Sequence, residues 1–216
     1  MGQPVIYTIG HSTHSIENFI KLLKSRGITA IADVRSAPYS RFQPQFNREL
    51  LTKSLKDSGI EYVFVGDSIG GRSSNEDDYE NGRVVYSRLK NSDNFENCLQ
   101  RVFAGSEKYK LALMCSEKEP IECHRTLLVG QTLFERGIPM THILGDGTLE
   151  KHEDSIQRLL KLFKLDEPDL FRTNEEVISE ALLKQELKVA FTLGDPVKGR
   201  LDSGQLAGSE EWTDSI

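Results

Sequence analysis

Cysteine, histidine and arginine in this 216-residue chain gather in a few short stretches, each of which follows an apolar run. The richest is Cys115-Ser-Glu-Lys-Glu-Pro-Ile-Glu-Cys-His-Arg125, directly after Leu111-Ala-Leu-Met114. A thiol at the end of a buried strand, ahead of a loop that leads into a helix, can be ionised by helix amides, by Arg125 or by a protonated His124. Cys115 is therefore the candidate nucleophile. His124 and His11 are candidate acid–base groups, since imidazole titrates near neutrality, and Glu117 is a candidate general base. The competing reading of Cys115 is a small structural core residue. The Cys-x5-Arg loop of cysteine phosphatases is absent, because Arg125 lies ten positions on.

Four arginines, Arg35, Arg41, Arg72 and Arg125, fall in such stretches. A guanidinium presents a fork of donors matched to phosphate or carboxylate. Gly10 and the pair Gly70-Gly71 would let backbone amides approach the same anion, with Ser12 nearby and Asp33 placed to orient Arg35 or a histidine. Local pairing of each arginine with an acid such as Asp33, Asp67 or Glu117 is the plainer account. Neither GxxxxGK[ST] nor GxGxxG occurs, so the anion site rests on composition at a location. Cys115, Cys123, His124 and His11 could supply four ligands to a metal, but Cys-x7-Cys-His is not a usual zinc spacing and adjacent ligands strain the geometry. No metal and no cofactor is expected. Cys98 lies on an apolar helical face, and His142, inside a strand, reads as a satisfied core histidine.

The elements that must position these residues follow from periodicity. Val5–Ile9 is a strand, and Ser15 caps a helix with Ile16, Phe19, Ile20 and Leu23 inward. Residues 28–32 form a second strand. Asn47 caps a second helix with Leu50, Leu51 and Leu55 inward, and residues 60–65 form a third strand. Residues 66–82 read as a long polar loop. A helix over 94–103 buries Phe95, Cys98, Leu99 and Val102. The strand 111–114 is apolar throughout, as in a parallel sheet covered on both faces. A helix through Leu127, Leu128 and Leu133 leads to a fifth strand at 140–144.

The expected fold is α/β: a doubly wound, mainly parallel sheet of about five strands with helices on both faces, plus C-terminal helices. The expected organisation is a Rossmann-like domain over 1–147, a helical extension over 148–192 and a disordered acidic tail over 193–216. In parallel sheets ligands collect at the carboxyl ends of the strands, where every candidate residue lies.

Composition narrows the function classes. Three cysteines are too few and too odd in number for a disulfide-stapled secreted fold, so a cytoplasmic location is expected. No run is long and apolar enough for a membrane span. Net charge is −6, of which residues 194–216 carry −3, five acids against Lys198 and Arg200. The body is close to balanced, which argues against a general nucleic-acid coat.

The stretches TIGHSTHSIENFIKLL, ADVRSAPYSRFQPQFN, Gly70-Gly-Arg72 and LMCSEKEPIECHR resemble the signature blocks of the uncharacterised "domain of unknown function 488" family, over about Thr8 to Leu144. The resemblance implies a Rossmann-like α/β domain and supplies no reaction. A looser likeness is to rhodanese-type domains, which also carry an Asp-Val-Arg strand and a later strand–Cys–loop–helix. The loop after Cys115 is longer here, and the Cys-x-x-Gly-x-Arg form is missing.

The leading functional expectation is an enzyme, a hydrolase or transferase, acting on a phosphate-bearing small molecule or nucleotide through Cys/His chemistry. The alternative is a nucleotide or nucleic-acid binding module without catalysis, in which Arg35, Arg41, Arg48 and Arg72 interleave with Tyr39, Phe42 and Phe46. The stripe Val177, Ile178, Ala181, Leu182 could seam a homodimer or cover the sheet.

Overall fold

Strand runs and amphipathic stretches fold in the order their spacing predicts. The computed structural model describes residues 4–167 and 170–194. Ile6–Gly10 forms β1, Ile16–Ser25 α1, Ala30–Asp33 β2, Arg48–Lys56 α2 and Glu61–Phe64 β3. Then come α3 (Gly66–Ile69), a ribbon of β4 (Tyr79–Glu80) and β5 (Arg83–Val84), α4 (Tyr86–Lys90) and α5 (Asp93–Lys108). The second half holds β6 (Leu111–Cys115) and a π-helical stretch, Arg125–Gly130, that runs into α6 (Gln131–Glu135). β7 (Met140–Ile143), β8 (Leu149–Lys151), α7 (His152–Leu162) and α8 (Asn174–Val189) follow.

Among the described residues the main sheet has six strands in the order β3-β2-β6-β1-β7-β8. All neighbours are parallel except β7 and β8. From β1 the chain steps over β6 to reach β2; from β6 it steps over β1 to reach β7. The two crossovers leave in opposite directions, so a crevice opens at the carboxyl ends of β1 and β6, where Gly10 pairs with Cys115. Alternation along β6 sends Leu111, Leu113 and Cys115 into one core and Ala112 and Met114 into the other. Phe19 and Leu23 of α1 and Leu51 and Leu55 of α2 close the second core; α5, the π-helical stretch, α7 and α8 close the first. The sheet is thus covered on both faces, and the fold is α/β.

Several expectations need adjusting. A sixth strand, β8, is a Leu-Glu-Lys segment with no apolar run to announce it, and it joins the sheet across the boundary expected at 147. Leu50 is 52% exposed, because adjacent helical positions diverge by about 100° and only Leu51 can face the sheet. Asn47 stands at the start of α2, yet its Oδ1 accepts the Ser40 amide at 2.7 Å instead of capping the helix. The stretch 66–82 is ordered by α3, a 3₁₀ turn at Glu76–Asp78 and the ribbon, with the Tyr79 hydroxyl donating to the Ser73 carbonyl at 2.8 Å. Val177 and Ala181 are buried within the chain, so the α8 stripe covers the chain's own core. Of the tail expected over 193–216, all but residues 193 and 194 lie outside the described residues.

His142 is a core histidine. Its Nδ1 lies 2.7 Å from Thr8 Oγ1 and its Nε2 3.2 Å from His152 Nδ1, while His152 Nε2 lies 2.9 Å from Gln131 Oε1. Burial holds His152 down at about 4 and, with the His152 charge, pushes His142 well below the ordinary imidazole value. An unfolded histidine titrates near 6.5. Between pH about 6.5 and about 4 the unfolded chain binds more protons than the folded one, so stability falls on acidification through that window. Urea midpoints measured across it should drop steadily for the natural chain and less steeply for His152→Gln; parallel slopes would contradict this origin.

Candidate functional site

The loop after β6 doubles back on the sheet because three features hold it. Beyond the strand ends, the amides of His11 and Ser12 donate to the carbonyls of Cys115 and Ser116 at 2.9 and 3.0 Å, which prolongs the β1–β6 ladder. Ser12 adopts a left-handed φ of 47° to do so. Gly10 admits the returning loop: a Cβ there would stand 1.8 Å from the Glu117 carbonyl oxygen. Arg125, wholly buried, donates from its two terminal nitrogens to the carbonyls of Glu117 (2.6 Å) and Lys118 (3.2 Å).

The folded loop brings four reactive side chains to one point. Glu117 Oε2 lies 2.7 Å from Cys115 Sγ and 3.1 Å from Cys123 Sγ. His124 Nδ1 lies 3.7 and 3.9 Å from the same sulfurs. The other imidazole nitrogen, Nε2, donates to the Val34 carbonyl at 2.8 Å, so Nδ1 is the nitrogen that faces the thiols, a lone pair in the neutral ring and a donor in the charged one. Cys123 is extended (φ −136°, ψ 139°) and His124 helical (φ −59°, ψ −26°), so two adjacent side chains reach the same spot. Gly71 packs on the His124 ring; a Cβ would sit 3.0 Å from it, and Gly70 beside it abuts Ser36.

Electrostatics couple the group. Burial pushes the Cys115 thiol well up, reinforced by the hydrogen bond with Cys123 and its charge. For Cys123 burial acts upward too, but the hydrogen bond from Cys115 and the Arg125 and His124 charges outweigh it and hold this thiol well below its usual value. Burial of its carboxyl also raises Glu117, with the Cys123 charge acting the same way.

The cluster floors a cavity of about 740 Å³. Its walls carry Arg35, Arg41, Arg72 and Lys188, with the aromatic rings of Tyr39, Phe42 and Phe191. The Arg72 guanidinium lies 4.2 Å over Phe191, and burial lowers its pKa. Arg41 lies 4.7 Å over Phe42, which is 76% exposed.

The candidates divide into two groups. Cys115, Glu117, His124, Gly71, Arg35, Arg41 and Arg72 line the cavity; Gly10, Ser12, His11, Asp33, Gly70 and Arg125 stand behind its wall. Arg35 is tied inward. Its Nε and one terminal nitrogen grip Asp33 at 2.6 to 3.2 Å, the same terminal nitrogen donates to Phe46 O at 2.9 Å, and Tyr62 donates to Asp33 at 2.9 Å. His11 stacks on Phe46 and keeps Nε2 3.3 Å from Arg35, with burial and the Arg35 charge lowering its pKa to about 4. It is a neutral support for Arg35 and does not reach the thiols. Cys123 belongs to the cluster although the sequence suggested no catalytic part for it. Lys188 and Phe191 come from the C-terminal extension, and no spacing in the sequence singles them out.

Two substitutions test this support. Arg35→Ala leaves a buried carboxylate unpaired and should cost about 3–5 kcal/mol in urea unfolding; a loss within about 0.5 kcal/mol, as at an ordinary surface site, would contradict it. Gly10→Ala should force the loop off β1, cost about 1–3 kcal/mol and speed alkylation of Cys115 and Cys123. Unchanged alkylation rates would count against this role of Gly10.

No curated protein and no solved structure matches the chain. One family does match, over residues 15–131, which takes in the whole cluster from Cys115 to His124 and more than half of the sequence. The chain belongs to that family, described as Domain of unknown function DUF488.

Proposed function

We propose that the protein is an enzyme, a hydrolase or transferase, acting on a small phosphate-bearing molecule of nucleotide class held in the 740 Å³ cavity. The observation that carries this reading is the layering of that cavity: a thiol–carboxylate–imidazole cluster at the floor and cationic groups with aromatic rings above it. Arg72 and Lys188 supply the anion subsite, and a half-buried guanidinium that has given up part of its hydration gains most from an incoming phosphate. Tyr39 (60% exposed) and Phe42, with Arg41, offer flat faces for a base. A mononucleotide fits a cavity of this size. Cys115, His124 and Glu117 then stand where protons and the reacting group of the ligand are exchanged.

Calorimetry with inorganic phosphate, a nucleoside and its 5′-monophosphate tests the reading. The monophosphate should bind tightest, and Arg72→Ala should weaken it by about tenfold or more, the equivalent of one charged hydrogen bond. Equal affinity of nucleoside and monophosphate would overturn the anion subsite. Cys115→Ser should keep binding and lose turnover.

The exposed Tyr39–Arg41–Phe42 group also favours a second reading, a nucleotide or nucleic-acid binding module without chemistry. Affinity for oligonucleotides would then fall steeply with salt and ignore Cys115→Ser.

A further inference from the structure

We infer that Cys115, Cys123, His124 and Glu117 form a tetrahedral site for a divalent cation of the zinc class, with both thiolates, the imidazole Nδ1 and the carboxylate as ligands. The inference shares its residues with the floor described above: with the cation bound, Cys115, His124 and Glu117 are ligands rather than a free nucleophile and acid–base groups, while the phosphate subsite at Arg72 and Lys188 is a separate part of the cavity.

Geometry supports it first. One donor atom from each residue lies within 4.8 Å of all the others. Around a tetrahedral zinc with bonds of about 2.3 Å to sulfur and about 2.0 Å to nitrogen, a sulfur and a nitrogen ligand stand about 3.5 Å apart. His124 Nδ1 lies 3.7 and 3.9 Å from the two sulfurs. Glu117 sits nearer, 2.7 and 3.1 Å from the sulfurs, as a carboxyl does when protons rather than a cation lie between them. Exchanging the thiol protons for the cation releases them to solvent, and a small turn of the carboxylate makes it the oxygen donor.

The surroundings are those of a ligand set. His124 Nε2 donates to Val34 O at 2.8 Å, the outer hydrogen bond that fixes a metal-bound imidazole's tautomer. The Arg125 amide points at Cys123 Sγ from 3.5 Å, and its guanidinium pins the Glu117 and Lys118 carbonyls. Two sulfurs, one imidazole and one carboxylate in tetrahedral array select Zn²⁺ over oxygen-loving cations such as Mg²⁺ or Ca²⁺. Charge argues the same way: once both thiols and the carboxyl have given up their protons they repel one another at these distances, and a dication placed between them offsets three negative charges at the point where they meet. The adjacent ligands that made a metal unexpected are accommodated because Cys123 is extended and His124 helical, and Glu117 takes the place the sequence offered to His11.

The test is metal content of the full chain. Purified under reducing conditions, it should carry about one zinc per chain by elemental analysis. After chelation, added Co²⁺ alone should give thiolate-to-cobalt charge-transfer absorption. Cys123→Ser should lose the zinc and the band, whereas Cys98→Ser, remote from the cluster, should retain both. Arg72→Ala should also retain both, so loss of the phosphate subsite and loss of the metal read out separately. Neither ion taken up by the reduced natural chain would overturn the inference, whether or not the thiols are found joined as a Cys115–Cys123 disulfide. Full zinc content in Cys123→Ser would overturn it too. The cobalt spectrum of the natural chain keeps the question open to decision if Cys123→Ser does not fold.

Discussion

The site depends on a buried guanidinium. Arg125 is wholly enclosed, and its terminal nitrogens end on two carbonyls of the loop that begins at Cys115. Without them the loop's backbone oxygens at 117 and 118 would lose charged donors inside the protein, a loss worth more than an ordinary hydrogen bond. With them, the chain between Cys115 and Cys123 becomes a closed hairpin-like turn whose two ends present sulfur to the same point. The arginine that sequence reasoning assigned to a ligand is instead internal scaffolding, and its charge also holds the Cys123 thiol down.

A second buried pair sets the opposite wall. Asp33 ends β2, and Arg35 turns back on it two residues later, so the backbone at Val34 is held between them. That carbonyl receives the His124 imidazole. The ion pair therefore acts on the cluster at one remove: it fixes a backbone oxygen, which fixes a ring, which directs Nδ1 toward the sulfurs. Buried ion pairs add little net stability because desolvation offsets their attraction. Here the pair sets the direction of a ring.

The five parallel strands and the longer helices between them were legible because both have a period, two for strands and near 3.6 for helices, and the sheet's switch point could be sought at the strand ends. The short elements between residues 66 and 90 are too brief to show one. Cys115, Glu117 and His124 were legible by residue type. What the sequence could not convey was direction. Arg35, Arg125 and Arg72 look alike on paper, yet Arg125 stands behind the wall, Arg35 reaches the wall with its donors spent on Asp33 and Phe46, and Arg72 lies on the wall stacked over Phe191. Cys123 was visible as a possible metal ligand and was set aside because its neighbour His124 would have to reach the same point, which an extended Cys123 followed by a helical His124 allows here. β8 was hidden because a three-residue edge strand needs no apolar run.

The cavity's parts come from different portions of the chain, and this bears on what each can determine. The floor, from Cys115 to His124, lies within the segment shared with the family. Lys188, Val189 and Phe191 on the wall lie beyond it, at the end of α8. That helix is seated by the Gln185 amide on Ile121 O at 2.9 Å, inside the cysteine loop, and by Glu186, which accepts the Tyr86 amide at 2.8 Å. One helix thus touches the reactive loop with one residue and the cavity with the next turn. The family segment supplies the floor and also Arg35, Tyr39, Arg41, Phe42 and Arg72 of the wall, and the extension adds Lys188, Val189 and Phe191. Moving Lys188 or Phe191 alone would reshape that side of the wall, whereas moving the whole helix would also pull on the cysteine loop through Gln185; the remaining contacts that hold the sulfurs run through Arg125, Val34 and Gly10.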